Sequence, residues 1–106
     1  MLYERVIPAS VDAVVVALCA DYKRRARAIK SRSVSHRCEM EFTYLNYRIL
    51  EGAMELVGDD AEELIRDIGE KIGYARSSLD SYSETTYKNR KKEVKINIAK
   101  KLHLID

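Results

Sequence analysis

The stretch from Cys38 to Gly58, CEMEFTYLNYRILEGAMELVG, decides the fold class. Within it Cys38, Phe42, Leu45, Ile49, Ala53 and Leu56 recur at intervals of three and four, the period of one helical face. Met40, Tyr44, Tyr47, Leu50, Met54 and Val57 recur in the same way on a second face. A helix that is apolar on two faces belongs in the middle of a bundle, with Phe42, Tyr44, Tyr47 and Met54 packed in the core rather than lining a ligand pocket. Ser33 or Ser35 supplies its N-cap, and Gly58 ends it where a left-handed backbone is needed.

Upstream, Ser10 is placed to cap a helix in which Val11, Val15, Leu18, Tyr22 and Ile29 keep helical spacing until SRSVS breaks the pattern at Ser31 to Ser35. The opening MLYERVIP reads as an extended arm or short strand. Downstream, Asp59 or Asp60 caps a third helix with Glu62 and Glu63 in its first turn, near the positive end of the helix dipole. Leu64, Ile65, Ile68 and Ile72 form its core face. Gly73 is a natural stop, although Leu79 and Tyr82 continue the spacing beyond it. From Ser83, SETTYKNRKKEVKINIAKKL places Tyr87, Val94, Ile98 and Leu102 on one face of a last helix, roughly 30 Å long. The expected fold is therefore all-α: one domain over residues 1–106, a bundle of four or five helices.

A chain of 106 residues holds one hydrophobic core and excludes a multidomain enzyme. With 46% hydrophobic and 34% charged residues it is neither a disordered tail nor a membrane-embedded chain. Its longest apolar run, Val11 to Ala20, contains Asp12 and lacks a basic leader, so the expected location is the cytoplasm. Cys19 and Cys38 have no CxxC spacing and read as reduced, packed thiols. His36 and His103 are isolated, and no HExxH, P-loop, GxGxxG or nucleophile elbow is present, so neither metal nor cofactor nor catalysis is expected. Serines 77, 78, 81 and 83 are assigned to caps and turns.

Net charge is only +2, but its distribution is uneven. Lys23, Arg24, Arg25, Arg27, Lys30, Arg32 and Arg37 stand between Tyr22 and Cys38 with no acid among them. From Glu39 to Glu70 acids dominate, and from Thr86 to His103 only Glu93 opposes seven bases. Segregated blocks of this kind turn a cationic face toward a polyanion while the whole chain stays near neutral; the plainer reading is a set of solvated helix faces, which fits the first block best.

The last block also falls within a pattern that suits a helix-turn-helix, whose second helix enters the major groove. In one register, IGEKIGYARSSLDSY supplies Gly69, turn residue Gly73 and apolar Ile72, Tyr74, Leu79 and Tyr82, and the base-facing positions become Ala75, Arg76, Ser77, Asp80, Ser81 and Glu84. In a second, Ser83 caps the recognition helix, which then presents Ser83, Glu84, Thr85, Lys88, Asn89 and Lys92. Charge favours the second, since Lys reads guanine and Asn pairs with adenine, while Arg90, Lys91, Lys95 and Lys100 supply phosphate contacts. Its turn must be longer than usual, because Arg76 and Asp80 fall where the preceding helix should be apolar. The GEKIG spacing itself points to a turn or tight packing.

SETTYKNRKKEVKINIAKKLHLI resembles the recognition helix of sigma-70 region 4-like proteins, above all the ArpU/RinA kind of phage late-transcription regulators. The positions that carry the resemblance are Ser83, Thr86, Tyr87, Lys88 to Lys92, Val94, Ile98, Ala99 and Leu102, and with the acidic helix and IGEKIGY it spans about residues 39 to 105. It implies a C-terminal helix-turn-helix-like unit, binding to double-stranded DNA near promoters, and action beside RNA polymerase. The DNA-contacting set expected on all these grounds is Ser83, Thr85, Thr86, Lys88, Asn89, Arg90, Lys91, Lys92 and Lys95. The competing expectation is a helical module that forms a homodimer or binds an acidic protein, with its bases as rim charges.

Overall fold

The structure, a computed structural model, describes residues 7–106; of the arm expected over residues 1–8, all but Ile7 and Pro8 lies outside the described residues. Five α-helices follow in order: α1 (Ala9–Ala20), α2 (Tyr22–Ser31), α3 (His36–Val57), α4 (Ala61–Gly69) and α5 (Glu84–Lys101), with 3₁₀ turns at Gly58–Asp60 and Tyr74–Arg76. No strand occurs among the described residues, so the all-α expectation holds.

The helix starts follow capping chemistry, with corrections. Ser35 Oγ accepts from Cys38 N at 3.2 Å and Ser83 Oγ accepts from Thr86 N at 3.2 Å, satisfying donors that a first turn otherwise leaves open. Ser10 does not cap α1. Pro8 holds that position with φ −56°, and its carbonyl accepts from Asp12 N at 3.0 Å. Asp60 precedes α4 without a side-chain cap bond, because its carboxylate instead accepts from Tyr82 Oη at 2.7 Å.

The helix ends show one motif three times. After α2, α4 and α5, the residues Arg32, Lys71 and His103 take left-handed backbone, with φ of 53°, 57° and 59°. Each is followed by a main-chain bond back to the helix, Ser33 N to Ala28 O, Ile72 N to Asp67 O and Leu104 N to Ala99 O, the Schellman pattern normally given to glycine. Lys71, not Gly73, therefore turns the chain after α4, and Gly73 has ordinary extended backbone. Gly58 does have positive φ, 57°, and ends α3 as expected.

The first predicted helix is two. Asp21 (φ −96°, ψ 2°) interrupts it, and its carboxylate binds Arg24 Nε at 2.6 Å and Arg25 Nη1 at 3.3 Å. At this break α4 crosses: a Cβ on Gly69 would sit 2.5 Å from Ala20 N, so only glycine fits. Beyond the break α2 packs on α3, fastened by Arg25, which is buried. Its Nε donates to Asn46 Oδ1 at 2.7 Å and its Nη2 to Leu18 O at 2.6 Å, while Asn46 Nδ2 donates to Tyr22 O at 3.1 Å. One base of the first cationic block thus serves packing rather than solvation.

The core joins Val15 and Cys19 of α1, Ile49 and Ala53 of α3, Leu64, Ile65 and Ile68 of α4, and Tyr87, Val94, Ile98 and Ala99 of α5. Helix α5 makes its largest contact with α3 and only a small one with α4. Gly52 permits it, since a Cβ at that position would lie only 3.0 Å from Ile98 Cγ1 and 3.1 Å from Ile98 Cα. Helix α3 is not enclosed. Its first apolar stripe turns inward at Ile49 and Ala53, but Met40, Tyr44, Tyr47 and Met54 of the second are exposed. Thr43, exposed, and Glu51, partly buried beside Arg48, share that face.

Candidate functional surfaces

Neither helix-turn-helix register is present as two helices across a short turn. The first needs a helix from Tyr74 through Tyr82, where the chain makes one 3₁₀ turn and then irregular backbone. The second needs a helix before Ser83, and finds the same connection. Polar anchors hold this segment in shape: Ser77 Oγ donates to Asp67 Oδ2 at 2.5 Å, Ser78 Oγ donates to Glu63, and Tyr74 Oη donates to Tyr82 O at 2.6 Å. Leu79 is buried at its centre. Ser83 thus serves as a cap and Ser77 accepts from Leu79 N in a turn, as expected, whereas Ser78 ties the segment to α4. Of the first register's contact positions, Ala75, Arg76, Asp80, Ser81 and Glu84 are exposed, and Ser77 is bound to Asp67.

Asp67 and Tyr87 form the buried polar centre beneath that segment. Tyr87 Oη donates to Asp67 Oδ2 at 2.8 Å and lies 3.0 Å from Ile72 O. Burial, reinforced by the Asp67 carboxylate, pushes the Tyr87 hydroxyl up to about 12. Burial likewise raises the Cys19 thiol to about 12, consistent with a packed, unreactive cysteine.

The expected DNA-contacting residues divide into two groups. Thr85, Lys88, Asn89 and Lys92 face solvent, with Lys88 in an exposed pair with Glu84 at 2.9 Å. The others are engaged within the protein. Ser83 and Thr86 are bonded to each other at the cap, Oγ to Oγ1 at 2.9 Å. Arg90, 40% exposed, pairs with Glu93 of its own helix at 2.9 Å, much as Lys88 does with Glu84, whereas Lys95 reaches Asp12 of α1 at 2.8 Å. Lys91 Nζ donates to Ile72 O at 2.7 Å and stands 5.2 Å from the Tyr87 ring centre; its ammonium is pulled below the ordinary lysine value by burial. Lys101 reaches α3, 2.6 Å from Glu55, which also accepts from Asn97. Lys91, Lys95 and Lys101 of the C-terminal cationic block therefore fasten α5 to the rest of the bundle.

The outward face of α3 is the surface that periodicity assigned to the core. Met40 is 60% exposed, Tyr47 61%, Met54 49% and Tyr44 43%, with half-buried Leu50 at its edge. Arg48 holds Tyr44 in place: its guanidinium lies 5.6 Å from the ring centre and Nη1 donates to Glu51 at 3.0 Å. A shallow groove runs along Glu39, Met40, Thr43, Tyr44 and Tyr47. By contrast, the cleft of about 390 Å³ between α2 and α4 mixes Lys23, Arg24, Arg27 and Arg66 with Glu62 and Glu70. The signal that could have identified the α3 face was the alternation of its methionines and tyrosines with Thr43 and Glu51.

Among the described residues no group of three or more His, Cys, Asp or Glu is placed to hold a metal ion, and no helix is long and apolar enough to cross a membrane. No family model matches the sequence, and no curated protein or solved structure is significantly similar to it.

Proposed function

We propose that this chain is a helical homo-association module that works through the outward face of α3, a second copy being its partner. The observation that carries this reading is the row of Met40, Tyr44, Tyr47 and Met54, large apolar side chains held in water on one helix face. Such a stripe, rimmed by polar groups, marks association surfaces in soluble proteins. Burying one such side chain fully contributes about 1.5–3 kcal/mol, so even partial cover by a partner helix is favourable. Methionine and tyrosine also suit the task, one adaptable in shape and the other rigid with a polar tip.

A second reading has its own support. Lys88, Asn89 and Lys92 remain exposed on the first turns of α5, with Thr85 beside them. They favour a double-stranded DNA-binding regulator of the sigma-70 region 4-like kind, working with RNA polymerase, whose contact set shrinks to these four residues. Cations facing a duplex release counterions, so such binding weakens steeply with salt.

Two measurements on the same protein separate the readings: sedimentation over a wide concentration range, and fluorescence anisotropy of a labelled random-sequence duplex at several salt concentrations. Concentration-dependent self-association with weak or no duplex binding supports the module. A monomer that binds the duplex with a steep salt dependence overturns it and supports the regulator.

A further inference from the structure

We infer that the outer face of α2 is a sequence-independent docking surface for the phosphate backbone of double-stranded DNA, with Lys23, Arg27 and Lys30 as its contact row and Arg32 and Arg37 extending it around the turn into α3. The inference goes beyond both readings above and is independent of association through α3. The inner side of α2 fixes which way the row points. Arg25 is buried and bonded to Asn46 and to Leu18 O, with Tyr22 and Ile29 half-buried beside it. At 3.6 residues per turn, Lys23, Arg27 and Lys30 fall within about 60° of one another on the opposite side, spread over roughly 10 Å of helix. All three are exposed, as are Arg32 at the left-handed C-cap of α2 and Arg37 in the first turn of α3.

The side chains of these five bases form no ion pair or hydrogen bond among the described residues. The acids around them are elsewhere engaged or out of reach. Asp21 is held by Arg24 and Arg25. Lys23 and Arg27 border the cleft whose far wall carries Glu62 and Glu70, and Glu70 stands 3.6 Å from Arg66 instead. Glu39 and Glu41 follow Arg37 on α3 without pairing to the row. Helix α5 differs: Lys91, Lys95 and Lys101 are tied to neighbouring elements and Lys88 and Arg90 to acids of their own helix, which leaves Lys92 and Lys100 more than two turns apart. Lys23 and Arg27, four residues apart, are a like-charge pair that costs the free helix stability, and a polyanion laid along them removes that cost.

What stands between the bases selects the occupant. None of the exposed large apolar side chains falls between Tyr22 and Arg37; the row is flanked by Ala26 and by the hydroxyls of Ser31 and Ser33. A protein partner needs an apolar centre to bury, and a helix lying on a membrane needs an apolar face. A phosphate backbone needs only cations and small donors, and arginine forks match its oxygens. Unpaired strands are held by bases stacking on exposed rings. Here the nearest rings, Tyr22 and Phe42, are half-buried, and the Arg24 guanidinium stands 5.3 Å from the centre of Phe42. A row two turns long meets one ridge of phosphates, short of the two successive minor grooves by which proteins grip an RNA duplex. Backbone contacts of this kind carry no sequence information.

The test is fluorescence anisotropy of a labelled random-sequence DNA duplex with the full chain, from low salt upward. The triple variant Lys23→Gln, Arg27→Gln, Lys30→Gln, with helix content checked by circular dichroism, should bind about tenfold or more weakly at low salt and lose roughly 2.7 from the salt slope, three phosphates at about 0.9 each. The variant Lys88→Gln, Lys92→Gln, Lys100→Gln removes the same charge from α5 and should leave the slope unchanged. On the unsubstituted chain, bound duplex should protect Lys23 and Lys30 from acetylation and leave Lys92 and Lys100 reactive. Equal losses in the two triple variants would mean attraction by net charge alone, and a loss confined to the α5 variant would move the contact to α5; either overturns the α2 surface. So does a parent chain that ignores the duplex at low salt, or one that prefers a single strand or an RNA duplex of equal length. None of these results bears on association through α3, which sedimentation reads separately.

Discussion

Helices α3 and α5 lie against each other, but α5 buries Tyr87, Val94 and Ile98 of its expected apolar face, whereas α3 leaves its second apolar stripe in water. Helix α3, apolar on two faces, looked central, yet it leaves Met40, Tyr44, Tyr47 and Met54 exposed. Helix α5 was expected to bury one apolar face, and Tyr87, Val94, Ile96, Ile98 and Ala99 are buried; what differs is that three of its seven cations, Lys91, Lys95 and Lys101, are tied to neighbouring elements. The difference teaches that periodicity counts apolar positions but does not say which face a neighbour covers. Long basic side chains obscure burial further, because their stems pack on apolar surface while the charged ends find a carbonyl or carboxylate at the edge.

The sharpest way to break the comparison is on α3 itself. Ile49→Ala, on the inner face, should cost about 2–5 kcal/mol of unfolding free energy, whereas Tyr47→Ala, two residues away on the outer face, should change monomer stability by no more than about 0.5 kcal/mol. Urea unfolding at a concentration low enough to keep the chain monomeric measures both. Equal losses would mean that α3 is enclosed after all.

The same contrast on α5 is smaller. Lys91→Ala removes the donor to Ile72 O and the cation over the Tyr87 ring, and should cost about 1–2 kcal/mol. Lys92→Ala, its exposed neighbour, should cost almost nothing. Indistinguishable midpoints in the two variants would show that the inward lysines are ordinary surface charges.

Titration probes the buried side of the pair. Tyr87 is raised from 10.0 to about 12 in the folded protein, so its neutral form is favoured by folding. Its contribution is fully present below pH 10 and is lost as pH rises toward 12. Cys19, raised from 9.0 to about 12, acts in the same direction from pH 9 upward. At the acidic end the sign reverses. Asp21, held down chiefly by its hydrogen bond from Arg24, and Glu55, held down by Asn97 and then Lys101, stabilise the fold above ordinary carboxylate values. That contribution fades as pH falls through their lowered values. Thermal midpoints should therefore fall above pH 10, and Tyr87→Phe should flatten part of that decline; an unchanged profile in this variant would contradict the assignment to Tyr87.

The smallest effect concerns the exposed cations. Lys88→Ala with Lys92→Ala should leave both unfolding and self-association within about 0.5 kcal/mol of the parent. In the duplex-binding reading it should also lower the salt slope of anisotropy titrations by roughly 1.8, two phosphate contacts at about 0.9 each. An unaltered slope removes these residues from any nucleic-acid contact.

Much of the fold was legible because its determinants are local. The cap serines Ser35 and Ser83, the stop at Gly58 and the core face Leu64, Ile65, Ile68 and Ile72 depend on neighbours a few positions away. What escaped depends on residues distant in sequence. The break at Asp21 accompanies the crossing of Gly69 against Ala20, and the burial of Arg25 follows from Asn46 on another helix. The connection before α5 keeps no helix because Ser77 and Tyr87 both converge on Asp67, while Lys71 accepts a left-handed turn that was assigned to Gly73. For the candidate sites, outward Thr85, Lys88, Asn89 and Lys92 were anticipated, but the engagement of Arg90, Lys91 and Lys95 required the partners' positions in space.

The most direct measurement is an amide-resolved dilution series by two-dimensional NMR on the full chain, which reports on both helices at once. Self-association through α3 predicts concentration-dependent shifts gathered at Met40, Tyr44, Tyr47, Leu50 and Met54, with Lys88, Asn89 and Lys92 unmoved. Spectra that do not change on dilution, or changes confined to the first turns of α5, would contradict it.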